Sequence, residues 1–376
     1  MRDYVEIGIG REARRAYELE DIAVIPNRRT RSSKDVDTTW QIDAYTFEVP
    51  FMTHPTDALA GVEFVQAVDQ LGGLAVINAE GLLGRHEDPE AAVDQILEIQ
   101  QAYSSGNDVI ETLQKLHAAE LNLDLLRDRI AQVRDTGATV AVRVSPQHCR
   151  ELAPVIIAAG ADILVVQGTI ISAEHVEKTG EPLNLKDFIG SVDIPVIAGG
   201  VHDYTTALHL MRAGAVGVIV GSSAQLDDDG GYGINMPGAT AIADAAAARR
   251  DYLDETEGRY VHIIADTNIV NAGDVVKALA CGADAVVLGI PLSQAEEALG
   301  KGLYWESTAA HPRFPRGTVY GPAENLVPLR VILDGPSTEV YGRTNFIGGI
   351  KRALAKCGYT DIKSFHKVGL AVRPTL

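Results

Sequence analysis

Cysteine is scarce in this chain. Its 376 residues contain three, Cys149, Cys281 and Cys357, an odd and scattered set that excludes a disulfide framework or thiolate metal cluster and suits a reducing cytosol. Positive charge is also in deficit. Lys and Arg number 33 against 51 Asp and Glu, a formal charge of -18, which repels nucleic-acid phosphates and anionic membrane surfaces, so any anionic ligand must be held locally. No window approaches the roughly 18 apolar residues that span a bilayer, and the stretch from Met1 to Arg15 has no apolar leader core. A cytoplasmic protein with no membrane or nucleic-acid partner is expected. The GxGxxG, P-loop, HExxH and GxSxG patterns are all missing.

What is present is an ordinary globular composition, 46% hydrophobic and 22% charged, enough to bury a real core and unlike disordered, collagen-like or coiled-coil chains. Eight apolar runs, each ending in or followed by small or polar residues, read as strands buried on both faces of a parallel sheet. They are Val49 to Thr53, Gly73 to Asn78, Val140 to Ser145, Ile163 to Gly168, Pro195 to Gly200, Gly217 to Ser222, Tyr260 to Asp266 and Ala285 to Ile290. Three approaches to strands look alike, AAGADILVVQG, RAGAVGVIVGS and ACGADAVVLGI. Each places a small-residue helix end, then a Gly suited to a left-handed cap, then an apolar run. Repeated βα units with eight strands predict an α/β fold, a closed (β/α)8 TIM barrel in one domain over 1–376, because closure removes both sheet edges. An insertion over 79–139 and a lid with C-terminal extension over 291–376 decorate it.

In such a barrel the strand tips form the working mouth. Asp266 ends strand seven just before a helix beginning near Ala272, a place where a carboxylate holds sugar hydroxyls while free helix amides meet a phosphate. Gly289 ends strand eight, where a missing side chain lets backbone approach a ligand. His54, His148, His175 and His202 each follow a strand and are candidate bases. Asp227, Asp228 and Asp229 stand in a row after strand six, in a pattern typical of a solvated tip, and no metal site is expected. Cys281, at a helix end away from the mouth, reads as a packing residue.

The segments YELEDIAVIP, VPFMTHPTDAL, PVIAGGV, AGAVGVIVG, GDVVKALACGADAVVLG and GGIKRALAKCGYTDIKSF, in this order, resemble the IMP dehydrogenase and GMP reductase family. More narrowly, the chain is similar to a branch without the CBS regulatory pair, for which the insertion leaves no room. The resemblance implies a barrel that binds a purine nucleoside monophosphate (IMP, XMP or GMP) with NAD as cofactor, in a homotetramer. It implies Asp266 at the ribose, and Gly289, Gly199, Gly200, Arg316 and Gly317 as further substrate contacts, with Gln167 on the cofactor side. The family oxidises IMP to XMP through a loop cysteine that attacks the purine. Here that loop reads GSSAQLDDDG, so Gly221, Ser222, Ser223, Asp227, Asp228 and Asp229 replace it without a thiol. Thr267 and Asn268 replace a Gly pair, and Ile290 a Ser. Activity is therefore expected to be weak or lost. The alternatives are a purine-nucleotide sensor, an assembly partner of an active paralogue, or a GMP reductase, which needs the same cysteine.

Overall fold

All eight apolar runs become strands of one parallel sheet. The computed structural model describes residues 3–102, 106–168, 171–172, 183–221, 233–311 and 319–373. The strands are β1 (Phe51–Thr53), β2 (Val76–Asn78), β3 (Ala141–Val144), β4 (Ile163–Gln167), β5 (Val196–Val201), β6 (Gly217–Gly221), β7 (His262–Asp266) and β8 (Ala285–Leu288). Neighbours follow chain order from β2 to β8, and β8 pairs with β1. The ring closes between β1 and β2 through a Met52–Leu74 bridge, where the Thr53 amide donates to the Leu74 carbonyl at 2.8 Å. The TIM barrel read from the sequence is the fold observed.

Helices α1 (Val62–Gln70), α2 (Pro89–Ala102), α3 (Gly106–His117), α4 (Leu123–Asp135), α5 (Cys149–Ala159), α6 (Leu185–Ile189), α7 (Tyr204–Ala213), α8 (Gly238–Glu255) and α9 (Ala272–Cys281) accompany the strands. The three similar segments end their helices alike: Gly160, Gly214 and Gly282 take φ of 105°, 107° and 114°, a left-handed turn that redirects the chain into β4, β6 and β8. Of the inserted helices, α4 packs between α1 and α5 as the ring's own member. The added part is therefore the α2 and α3 pair. Gly106 opens α3, and Asp108 lies in its first turn.

Alternation along the strands sorts two cores. Met52, Val76, Ala141, Ile163, Val165, Ile197, Ile219, Ile264, Ala285 and Val287 fill the barrel, and Trp40, Ile42 and Phe47 of a hairpin plug its lower end. The Trp40 indole N–H donates to His262 Nδ1 at 3.2 Å, at the start of β7. The other residues of each strand meet the helices in a second, larger cluster. Each such fully buried aliphatic side chain contributes about 1.5–3 kcal/mol. The C-terminal extension folds back on the barrel: Phe346–Lys356 packs on α9, and Leu370–Val372 pairs antiparallel with Ile22–Val24. In the expected lid, Val319–Tyr320 pairs with Tyr304–Trp305, and 312–318 lie outside the described residues.

Candidate active site at the barrel mouth

The two-residue period that points Ile264 inward also points Asp266 inward, one layer higher. Applied to every strand, it gives one mouth layer of His54, Asn78, Arg143, Gln167, Gly199, Gly221, Asp266 and Gly289. The ladder agrees: Gln167 pairs with Gly199, Gly221 with Asp266, and Asn78 with Arg143. Polar side chains thus come from β1 to β4 and β7, and glycines from β5, β6 and β8. A Cβ on Gly199 would stand 2.5 Å from that of Ile219, and one on Gly221 would collide with the Asp266 carbonyl. Close packing of neighbouring strands requires both glycines.

Over the polar half opens a cavity of about 610 Å³. Its wall holds Glu80, Arg85 and His117 from the insertion, none of them singled out from the sequence, together with Arg143. Arg143 carried a readable signal, a charge inside the apolar run AVRV, where only a paired group is tolerated. Glu80 organises this side. It accepts from the Ser145 amide at 2.5 Å, the Ser145 hydroxyl at 2.9 Å and Arg143 at 3.3 Å, and it also bonds His148 Nδ1. Burial opposes its ionisation, but Arg143, His148 and Ser145 outweigh that and hold its carboxyl below the ordinary value. Beside it, Asp57 accepts from Asn78 at 3.3 Å and meets His117 Nε2 at 2.7 Å, while His117 Nδ1 lies 2.8 Å from the Leu113 carbonyl. Thus α3 is tied to the barrel.

Gln167 and Asp266 come together as a pair, Nε2 donating to Oδ2 at 2.9 Å. Burial pushes the Asp266 carboxyl up to about 7, against the opposing pull of that bond. Gln167 Oε1 and His54 Nδ1 are buried without a partner. Burial, aided by Arg143, lowers His54 to about 3, so its ring is neutral. His54 and His148 line the cavity. His202 is not among its wall residues, and His175 lies outside the described residues, as do Ser222, Ser223, Asp227, Asp228, Asp229, Arg316 and Gly317. Gly200 follows Gly199 within β5.

The end of the mouth at β7 and β8 differs from expectation. Two first-turn amides of α9 are already engaged: Asn271 Oδ1 accepts from the Asp274 amide at 3.1 Å, and the Ala272 amide donates to the Gly342 carbonyl at 2.8 Å. The side-chain side of Gly289 is filled. The Tyr304 hydroxyl occupies the place its side chain would take, and the Tyr304 ring carbon Cζ would lie 3.0 Å from an added Cβ. The remaining space there is about 30 Å³, room for a water or two.

Size alone suits the large cavity to a nucleotide or to the NAD that the resemblance implies. Its guanidiniums are spoken for, however. Arg143 donates to the Gln167 carbonyl, Asn78 and Glu80, and Arg85 to the carbonyls of Glu80 and Ala119. Arg143 is thereby committed to the wall itself. None of the three cysteines lines the cavity. Burial pushes the Cys149 thiol up to about 11, Cys281 up to about 12, and Cys357 upward.

Residues 16–317 match the IMP dehydrogenase / GMP reductase domain family. An uncharacterized oxidoreductase of Mycobacterium tuberculosis (strain ATCC 25618 / H37Rv) is 57% identical over 98% of this chain and 99% of its own. Inosine-5'-monophosphate dehydrogenase of Methanocaldococcus jannaschii is 22% identical over 95% of this chain and 92% of its own. A crystal structure of an IMP dehydrogenase/GMP reductase-like protein from Corynebacterium glutamicum superposes with a TM-score of 0.95 at 63% identity, covering 99% of this chain and 98% of that one.

Proposed function

The chain belongs to the IMP dehydrogenase / GMP reductase family, and from that premise we propose that it is a purine-binding member that does not run the covalent thiolate reaction. The placement of the thiols carries this reading. Attack on a purine ring needs a thiolate facing the ligand. The chain's three thiols are held protonated by burial, and none faces the cavity. The ligand class, a purine nucleoside or its monophosphate, is taken from the resemblance and agrees with the acceptor pair of Gln167 and Asp266 at the strand tips. The role is then sensing, or assembly beside an active paralogue.

The test mixes pure protein with IMP and NAD, and separately with GMP and NADPH, while calorimetry follows purine binding. Heat of binding without cofactor turnover is the expected result. A purine found attached to the polypeptide by mass spectrometry would overturn it. A second reading, NAD-dependent oxidation of IMP to XMP without the thiolate, is favoured by His148, a base on the cavity rim oriented through Nδ1 by the ionised Glu80. NADH formation that survives alkylation of every cysteine would select it. The homotetramer belongs to the same proposal and is checked by sedimentation.

A further inference from the structure

Independently of the reading of the mouth, we propose that the small sheet joining Ile22–Val24 to Leu370–Val372 docks an extended acidic segment of another protein, which adds to it as a third strand.

Charge is segregated in this chain. Of its 33 Lys and Arg and 51 Asp and Glu, residues 22–34 and 346–373 hold ten of the former and one of the latter, Asp361. The two basic segments are stitched together. Leu370–Val372 pairs with Ile22–Val24, the Ile25 amide donates to the Gly369 carbonyl at 2.8 Å, and the Arg31 amide donates to the Ala355 carbonyl at 2.8 Å. An added Cβ on Gly358 would stand 2.5 Å from the Arg29 carbonyl oxygen, so the loop carrying Arg28, Arg29 and Arg31 packs closely on the end of the Phe346–Lys356 helix. None of the ten cations forms an ion pair with a described residue, whereas the half-exposed Arg127, Arg134 and Arg212 elsewhere do. Asp361 is engaged in its own turn, where it accepts from the Ser364 amide at 2.7 Å and caps Ile362–Phe365. The field of this face is positive, and screening confines it to about 8 Å at physiological salt.

Charge alone admits any polyanion, and the backbone narrows the choice. The Gly369 carbonyl accepts from Ile25, and the Arg373 amide donates to the Asp21 carbonyl at 2.7 Å. In the alternation of an antiparallel ladder, Gly369, Ala371 and Arg373 therefore face the partner strand, and the N–H and C=O groups of Leu370 and Val372 point to the outer edge. Among the described residues no strand covers that edge. Leu370 and Val372 are 40% and 56% exposed, and Ile25 beside them 46%. Open edges are commonly blunted by charge on the strand itself. Here the strand is Leu-Ala-Val, and Lys363, Lys367 and Arg373 stand just outside it. A phosphate backbone matches the cations and leaves the aliphatic side chains unused, while an anionic membrane leaves the edge groups to water. An extended polypeptide answers all three features, with main chain for the edge, aliphatic side chains for Leu370 and Val372, and carboxylates for the cations.

The probe is a fluorescent peptide of alternating Glu and Val, twelve residues long, titrated with the full chain and followed by anisotropy. It is expected to bind at least tenfold more tightly than an oligoglutamate of equal charge, and more tightly than a single-stranded DNA of twelve nucleotides or vesicles containing phosphatidylserine. DNA or vesicles binding equally or better assign the face to another polyanion and overturn the proposal. Oligoglutamate binding equally well overturns the strand addition, and no peptide binding at millimolar concentration overturns the whole. Val372→Pro deletes an outward N–H and keeps the bonds to Ile22–Val24, and is expected to weaken the peptide at least fivefold while leaving oligoglutamate unchanged. Should that variant fail to fold, Arg28→Glu with Arg29→Glu, both on the surface, is expected to weaken both probes at least tenfold. Unchanged affinity in a folded variant refutes the proposal. A change of oligomeric state in Val372→Pro, read by sedimentation, would assign the edge to a second copy of the chain and likewise overturn it.

Discussion

Replacing Asp266 by Asn isolates the energetic cost of the buried carboxyl at the tip of β7. Its native value of about 7 stands above the ordinary 3.8 because burial penalises the charged form. Between those two pH values the native state therefore holds a proton that the unfolded chain has released. Stability falls as pH rises through that window, at about 1.4 kcal/mol per pH unit, for a total of about 4 kcal/mol. Asn keeps the shape and can still accept from Gln167, but it does not titrate. The variant is expected to gain about 4 kcal/mol relative to the wild type between pH 4 and pH 8. His54 supplies the counterweight: burial lowers it from 6.5 to about 3, so its contribution rises with pH over that range. In the wild type the two slopes oppose each other between about pH 4 and 6.5. Asp266→Asn should therefore add a rise of stability with pH, and His54→Gln a fall. Urea unfolding at fixed salt and protein concentration, in steps of one pH unit, measures both. A difference between wild type and D266N that changes by less than about 1 kcal/mol from pH 4 to 8 would refute the burial argument.

Other consequences follow from the remaining groups. At pH 7.5 the native thiols should react with iodoacetamide at least tenfold more slowly than the same three in urea, since Cys149 is pushed up to about 11 and Cys281 up to about 12; rapid labelling of native Cys149 contradicts this. Asp57→Ala removes a partner of both His117 and Asn78 and is expected to cost about 2–3 kcal/mol, with faster amide exchange in α3; unchanged exchange there sinks the view of this pair as the strut of the insertion. Glu80→Gln should destabilise at pH 7 and progressively less below pH 4.5, because the native carboxyl is held under its ordinary 4.5 and its contribution is lost as acid protonates it. Melting curves at pH 3.5 and 7 distinguish that trend from a constant deficit.

The strands were legible because their signal is local. Runs such as ILVVQ and VIAGGV need both faces apolar only where helices cover one side and the barrel interior the other, and the three left-handed glycines repeat the same turn at the same step. Asp266, Gln167 and Gly289 were legible by position, as strand tips. The occupants of the phosphate cradle were not. Tyr304 reaches Gly289 from beyond β8, and Gly342 meets the start of α9 from 70 residues downstream of Ala272; neither contact leaves a mark in the spacing of nearby residues. Glu80 and His117 were missed for the same reason. Their partners, Ser145 and Asp57, lie 65 and 60 residues away, and the sequence shows only polar residues in an insertion.

The mouth layer also shows which part of this scaffold packing holds fixed. Gly199 and Gly221 are required by the Ile219 side chain and the Asp266 carbonyl, so strand packing preserves that half of the layer whatever ligand binds. The polar half carries no such constraint from packing, only the requirement that buried charge be paired. Here Glu80 is matched with Arg143, and the wall's other Arg and Glu side chains, Arg85 and Glu306, are of opposite sign, which leaves a nearly balanced wall in a chain of formal charge -18. A balanced wall exerts little net field on a ligand, and a neutral sugar gives up only hydrogen bonds that Gln167 and His54 can restore. Raising salt should therefore leave inosine affinity almost unchanged, since screening acts on charge alone. A steep salt dependence for inosine would mean that the wall carries a net field that its pairing does not cancel.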